Sequence, residues 1–306
     1  MNKLLKTVLQ KSQKVVAELE YQTRLLKNNG NLPALDVNDR YIVDALVNEG
    51  VYVTSLEALS LPSSPLLLKA AEGLLPDIET AFSVDSPGHT NSNNTYAVRA
   101  CYNKIAKEYP DLFLWGLEQR LLNIAENYIG LPVSCIGVDF RKEIPHENGR
   151  NLGTKLWHRD GEDCREVKIL IYFNDVFDDS IVFEYIPRRL SPSELKIIYK
   201  SIYLFKTIHK SIYTDEEMKK FVPQSEWKPC PGPSGTVIFA ATDSVFHHGK
   251  LPIGTGVRKD RFLIAYAYTS RQPENPEFCK RHFSREGLDL LESKLSERQR
   301  EYVYWH

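Results

Sequence analysis

Apolar positions Leu4, Leu5, Val8, Leu9, Val15, Val16, Leu19 and Leu26 recur at helical spacing and predict a helix over residues 3–28, stopped by Asn28-Asn29-Gly30. Its polar face carries Lys3, Lys6, Lys11 and Lys14, diluted by Glu18 and Glu20, which reads as a packed amphipathic helix rather than a membrane-surface one. Asp39–Asn48 reads as a second helix, ended by Gly50 and followed by a short strand, Val51–Thr54. A turn at Pro62–Pro65 leads into a third helix, Leu66–Phe82, and then into a polar loop over residues 84–95. Pro110–Tyr128 reads as a fourth helix that closes at Gly130.

From Pro132 the period changes. Val133–Phe140, Val167–Phe173, Ile181–Ile186, Thr236–Phe239 and Phe262–Tyr268 are short β-rich runs bounded by Gly, Pro, Asn and Asp. Between the third and fourth runs, Ser191-Pro192-Ser193-Glu194 opens a helical insertion that extends to about residue 222. A last helix is expected over Ser284–Tyr304. The pattern predicts one α+β domain over 1–306: a mainly helical part over 1–130, a β-core over 131–270, and a C-terminal helix in 271–306.

Hydrophobic residues make up 42% and charged residues 26% of the 306, with a net charge of -1, so no basic surface invites nucleic acid or an anionic membrane. Five scattered cysteines without a C-x-x-C pair argue against a disulfide framework or a structural zinc site, and point to a reducing cytoplasm. No apolar run reaches the roughly 18 residues of a membrane span, and lysines interrupt every candidate signal-peptide core.

The sharpest local signal is Leu156-Trp157-His158-Arg159-Asp160-Gly161. On an extended strand, residues i and i+2 share a face, so His158 and Asp160 can converge on one metal ion with Arg159 turned away. Downstream, the strand Gly235–Phe239 and the turn Thr242-Asp243-Ser244 lead to Phe246-His247-His248-Gly249. A glycine-containing loop then leads to Arg261 and the last strand. Two histidines and one carboxylate make a facial triad that leaves metal positions open, and an arginine can clamp a carboxylate with two parallel hydrogen bonds. His247 and His248 cannot both face inward on a strand, and Arg258 and Arg261 both sit at suitable spacing from the histidines.

These residues, His158-x-Asp160, His247-x-Gly249 and Arg261, resemble the iron(II)/2-oxoglutarate-dependent oxygenases, specifically the phytanoyl-CoA dioxygenase-like branch. Lys168–Val176, Gly235–Gly249, the segment Asp39–Thr54 and the Gly130-Leu131-Pro132 entry to the barrel carry the same likeness, which covers most of 39–270. The resemblance implies a double-stranded β-helix, or jelly roll, with the metal at its mouth. It implies Fe(II), 2-oxoglutarate as co-substrate and O2. The ligand set it implies is His158, Asp160 and His247, since the family's ligand stands two residues before the glycine. It favours Arg261 over Arg258 for the 2-oxoglutarate carboxylate, because Arg261 directly precedes the last strand.

Hydroxylation of an unactivated C–H bond in a small organic molecule, such as a specialised metabolite, is the expected reaction, with release of succinate and CO2. A carboxylate at Asp160 favours hydroxylation over halogenation. Desaturation, cyclisation or epimerisation with the same cofactors is the first alternative, and a non-catalytic jelly roll that binds a small ligand is the second. A peptide substrate stays open, and the sequence leaves oligomeric state undetermined. Tyr172 is read either as a hydrogen-bond partner of the co-substrate carboxylate or as core packing. Trp157 is read as core, His146, His209, His282 and His306 as surface residues, and the aromatic segment Tyr199, Tyr203, Phe205 and Tyr213 as a packing helix or a lid.

Overall fold

The computed structural model describes residues 19–28, 30–84, 97–145, 153–191, 212–252, 256–279 and 283–303. The strands among them are β1 (Val51–Ser55), β2 (Ala97–Arg99), β3 (Val133–Glu143), β4 (Val167–Tyr172), β5 (Val182–Tyr185), β6 (Lys228–Cys230), β7 (Thr236–Ala240), β8 (His247–Lys250) and β9 (Arg261–Ser270). They form a six-stranded sheet, ordered β1-β7-β4-β9-β3-β2, facing a three-stranded sheet, β6-β5-β8. All the strand pairs are antiparallel. This is a jelly roll with helices on one side, the α+β architecture expected from the sequence.

The two-residue period of the strands sorts their side chains between two cores. On the large sheet, Val138, Phe140, Ile169, Ile171, Val237, Phe239, Ile264, Tyr266 and Tyr268 pack outward beneath the helices, against Leu67, Leu74, Ile105, Phe113, Trp115 and Leu121. The alternate residues Leu170, Tyr172, Ile238, Ala240 and Leu263 face the barrel interior with Phe183, Tyr185 and Cys230 of the small sheet. By the same alternation, Asp139, Arg141 and Glu143 of β3 stand in register with Ala265, Leu263 and Arg261 of β9. The barrel interior therefore carries charge along one wall.

The N-terminal helices follow local signals. Val37–Asn48 is helical, and the Asp36 side chain caps it by accepting from Asp39 N–H. A single turn of helix follows at Leu56–Leu59, and Ser64–Val84 forms a longer one, with Pro76 inside it. Of the first expected helix, residues 19–28 are helical and the rest lies outside the described residues. So do residues 85–95 of the polar loop, residues 192–211 of the insertion, and His146, His209, His282 and His306.

Several expectations are corrected. The helix expected over Pro110–Tyr128 is three pieces: Asp111–Leu114, a 3-10 turn at Trp115–Leu117, and Gln119–Ile129. Two tyrosine hydroxyls from β9 break it. Tyr266 donates to Leu112 O at 2.6 Å and Tyr268 to Gly116 O at 2.8 Å, taking those carbonyls from the helical ladder. Gly116 packs so closely on Tyr266 that a Cβ would lie 2.4 Å from its ring. The C-terminal helix is likewise two, Arg285–Glu292 and Glu297–Arg300, because Ser296 and Gln299 form a capping box that starts a new helix. Tyr102–Glu108, β2 and β6 are elements that the apolar pattern did not reveal.

Candidate active site

His158 lies on an extended segment bridged to His247 of β8, with reciprocal backbone hydrogen bonds of 3.1 and 3.0 Å. Asp160 N–H donates to Thr242 O at 3.0 Å, which anchors the next alternate position beside the turn before β8. This local pairing sets the two imidazoles 4.4 Å apart, centroid to centroid. His158 Nε2 is 3.6 Å from Asp160 Oδ1, and His247 Nε2 is 3.6 Å from Asp160 Oδ2. One ligand atom from each of His158, Asp160 and His247 falls within a 4.8 Å cluster. Arg159 points away, its guanidinium 4.4 Å from the centroid of the Phe246 ring.

The histidines are oriented from behind. His158 Nδ1 is 2.7 Å from Leu156 O and His247 Nδ1 is 3.2 Å from Val245 O. A backbone carbonyl on Nδ1 selects the tautomer that leaves the Nε2 lone pair free for a metal. Burial, helped by the neighbouring His158, pushes the His247 imidazole down to about 3, so it stays neutral and ligand-competent. Burial alone would raise the Asp160 carboxyl. The Lys168 ammonium instead holds it well below the usual carboxylate range.

His248 is built differently. Its Nδ1 is 3.0 Å from Lys155 O, its Nε2 is 2.9 Å from Glu184 Oε2, and its ring stacks on Trp157 at 3.9 Å. Both nitrogens are occupied on the outer side of the strand, so His247 is the member of the pair that can offer a lone pair to a metal. Trp157 is fully buried and donates to Asp215 Oδ1 at 2.8 Å, the structural role read from the sequence.

Arg261 is buried at the far end of the interior, whereas Arg258 is half-buried in the preceding loop. Arg261 Nη2 donates to Glu143 Oε2. Among the described residues, its Nε and Nη1 are buried with no hydrogen-bond partner. Orphaned guanidinium donors are costly, and they mark a place where an anion fits. Tyr172 is fully buried inside the barrel, and burial pushes its hydroxyl up to about 12 although the Arg261 charge pulls the other way. That hydroxyl donates to Cys230 O at 2.9 Å and accepts from Phe183 N–H at 3.1 Å, so its proton is already committed to the protein.

Sequence reasoning missed the charged residues around these groups. Lys168 Nζ lies 2.6 Å from Asp160, 3.6 Å from Glu162 and 3.8 Å from Glu166. Those three carboxylates form a second tight cluster, with the ammonium as their counter-ion. Burial, reinforced by Asp160 and Glu162, pushes the Glu166 carboxyl well up, although Lys168 opposes it. The signal was strand parity: if Tyr172 faces inward, so must Lys168, and Arg141 and Glu143 share one face of β3.

No protein-family model and no curated protein matches this chain. Solved structures share its fold. The non-heme alpha ketoglutarate dependent carbocyclase SnoK from nogalamycin biosynthesis aligns at a TM-score of 0.50 and 14% identity, over 86% of this chain and 91% of its own. The epimerase SnoN, solved with Fe3+, alpha ketoglutarate and nogalamycin RO, aligns at 0.50 and 10% identity, over 79% and 89%. At such identities the likeness establishes the jelly-roll architecture. Among the described residues, no helix is long and apolar enough to cross a membrane.

Proposed function

We propose that this chain is an iron(II)- and 2-oxoglutarate-dependent dioxygenase that hydroxylates an unactivated C–H bond of a small organic molecule, releasing succinate and CO2. One observation carries the reading. A two-histidine, one-carboxylate triad shares a barrel with a buried guanidinium that, among the described residues, has two orphaned donor nitrogens. Neither half alone is distinctive. Together they match the needs of a metal ion and of a 2-oxo diacid that spans from it.

His158 Nε2, His247 Nε2 and an Asp160 oxygen would hold the iron, with Arg261 receiving the distal carboxylate of 2-oxoglutarate. When bound, the iron and the 2-oxo acid supply oxygen activation and hydrogen abstraction, chemistry no side chain provides. The protein orients the imidazoles through Leu156 O and Val245 O, and keeps His247 unprotonated. Leu170, Ile238 and Leu263 line the interior and exclude water from the reacting groups. Tyr172 shapes the floor beside Arg261 through its bonds to Cys230 and Phe183. The spacing of His158-x-Asp160, His247-x-Gly249 and Arg261 supports placement in the phytanoyl-CoA dioxygenase-like branch.

The epimerase SnoN and the carbocyclase SnoK favour a second reading with the same cofactors, in which the substrate radical is diverted to epimerisation or ring closure. Both readings share one test. Wild-type protein should bind one equivalent of iron(II) or cobalt(II) and convert 2-oxoglutarate to succinate, and His158→Ala and His247→Ala should lose both properties. A full equivalent of metal retained in both variants removes the triad. Product analysis by mass spectrometry then separates hydroxylation, which adds one oxygen, from epimerisation, which leaves the mass unchanged.

A further inference from the structure

The inner face of β3 and β9, in the same sheet as Lys168, holds more positive charge than its own carboxylates neutralise. Glu143 is buried and accepts from three cations: Arg261 Nη2, Lys155 Nζ at 2.9 Å and Arg141 Nε at 2.7 Å. Arg141 also reaches Asp139, which Arg99 Nε approaches to 3.2 Å. Arg99 is exposed to solvent, but Arg141, Lys155 and Arg261 share two carboxylates, Asp139 and Glu143, and among the described residues none of the three has another acidic partner. An uncompensated buried charge is expensive, so this wall is built for an incoming anion.

Two of its cations have donors to give. Among the described residues, Arg261 keeps Nε and Nη1 unpartnered, and the ammonium of Lys155, a residue 6% exposed, makes a single hydrogen bond, to Glu143. An ammonium has three donors. Lys155 and Arg261 meet on the same oxygen, Glu143 Oε2, so their charged ends are neighbours. Lys155 also lies directly over Gly249, where a Cβ would come within 2.8 Å of Nζ. Gly249 stands two residues beyond His247 and faces the same side of β8. The ammonium is therefore between the strand carrying His247 and the guanidinium of Arg261, the interval a 2-oxo diacid would occupy.

We propose that Lys155 is a second cation for the distal carboxylate of the 2-oxo acid, acting with Arg261, while Glu143 is the internal anion that holds both in place. The proposal deepens the functional reading above and rests on it. It makes this site selective for a dianionic co-substrate over a 2-oxo monoacid. Lys155→Arg conserves charge but not the compact point-like donor.

The test uses full-length protein loaded with cobalt(II), which avoids turnover, and compares calorimetric affinities for 2-oxoglutarate and 2-oxobutanoate. Wild type should favour the diacid. Lys155→Gln and Lys155→Met should each reduce that preference about tenfold, with cobalt stoichiometry unchanged, and Lys155→Arg should retain most of it. Because a lone neutral substitution leaves Glu143 with one cation fewer, Glu143→Gln/Lys155→Gln guards against misfolding and should show the same loss. An undiminished preference in the folded, cobalt-loaded neutral variants overturns the assignment of Lys155 alone. Failure of wild type to bind either acid overturns the functional reading, and this proposal with it.

Discussion

Lys168 Nζ sits 2.6 Å from Asp160 Oδ2, so the carboxylate of the candidate triad is already paired with an ammonium from β4. In the metal-free protein this ion pair does part of what a divalent cation would do. It neutralises Asp160 and keeps its carboxyl ionised. Removing the lysine leaves Asp160 beside Glu162 and Glu166 without a counter-ion. Lys168→Met should therefore lower the stability of the metal-free protein by roughly 2–3 kcal/mol, somewhat below the range for a fully buried pair, because the lysine side chain is 22% exposed. Added cobalt(II) should recover most of the loss. The thermal upshift on metal addition should be larger in Lys168→Met than in wild type, and equal upshifts would show that the lysine does not compete with metal for Asp160.

The paired histidines predict separable phenotypes. His247→Ala removes an Nε2 aimed at Asp160 and should abolish stoichiometric metal binding with a modest change in stability. His248→Ala should do the reverse. It removes a ring stacked on Trp157 and, among the described residues, leaves buried Glu184 with only Lys250 at 3.6 Å. A loss of about 2–4 kcal/mol is expected, with metal stoichiometry intact. Denaturant melts with metal analysis on the refolded protein decide it; loss of metal from His248→Ala alone would exchange the roles.

Arg261 and Arg258 differ in burial, and their variants should differ accordingly. Arg261→Met deletes the orphaned donors and should raise the apparent 2-oxoglutarate requirement tenfold or more, equivalent to at least about 1.4 kcal/mol. Arg258→Ala, in the loop, should leave it within about twofold. Succinate release titrated against 2-oxoglutarate measures both, and a large shift in Arg258→Ala with none in Arg261→Met would move the carboxylate seat to the loop.

The parts of this site that could be read from the chain are those set by local rules. His158-x-Asp160 is an i, i+2 pair, and the β-rich runs carry their own period. Arg261 marks the start of β9, where its strand was expected to open. What stayed hidden depends on register between distant strands. Glu143 meets Arg261 across 118 residues of sequence, and Lys155 meets Glu143 only because β3 carries it there. β6, only Lys228–Cys230 with a proline at its centre, has too few apolar residues to show a period. The fourth helix was misread as continuous because the tyrosines that break it come from β9, whereas Ser296-x-x-Gln299 was a local signal outweighed by the surrounding helical pattern.

The last prediction concerns pH. Burial lowers the Lys155 ammonium to about 8, with Arg261 and Arg141 pushing the same way and Glu143 opposing them. The groups facing it are Glu143 and Arg141 from β3, Arg261 from β9, and Gly249 from β8; His248 touches only its backbone carbonyl. An ordinary lysine titrates near 10.4, so between about pH 8 and 10 the unfolded chain holds more protons than the folded one. Stability should then rise with pH across that window, and the contribution should be absent from Lys155→Met. Co-substrate binding should run the other way. A carboxylate arriving beside the ammonium raises its affinity for a proton, so binding at pH 8–9 should take up a proton and weaken as the pH rises through about 8. Calorimetry of the cobalt-loaded protein in two buffers of different ionisation enthalpy reads the uptake directly. Wild type should show it and Lys155→Arg should not, because a guanidinium stays charged throughout. Equal proton uptake in the two proteins would assign the titration to another group.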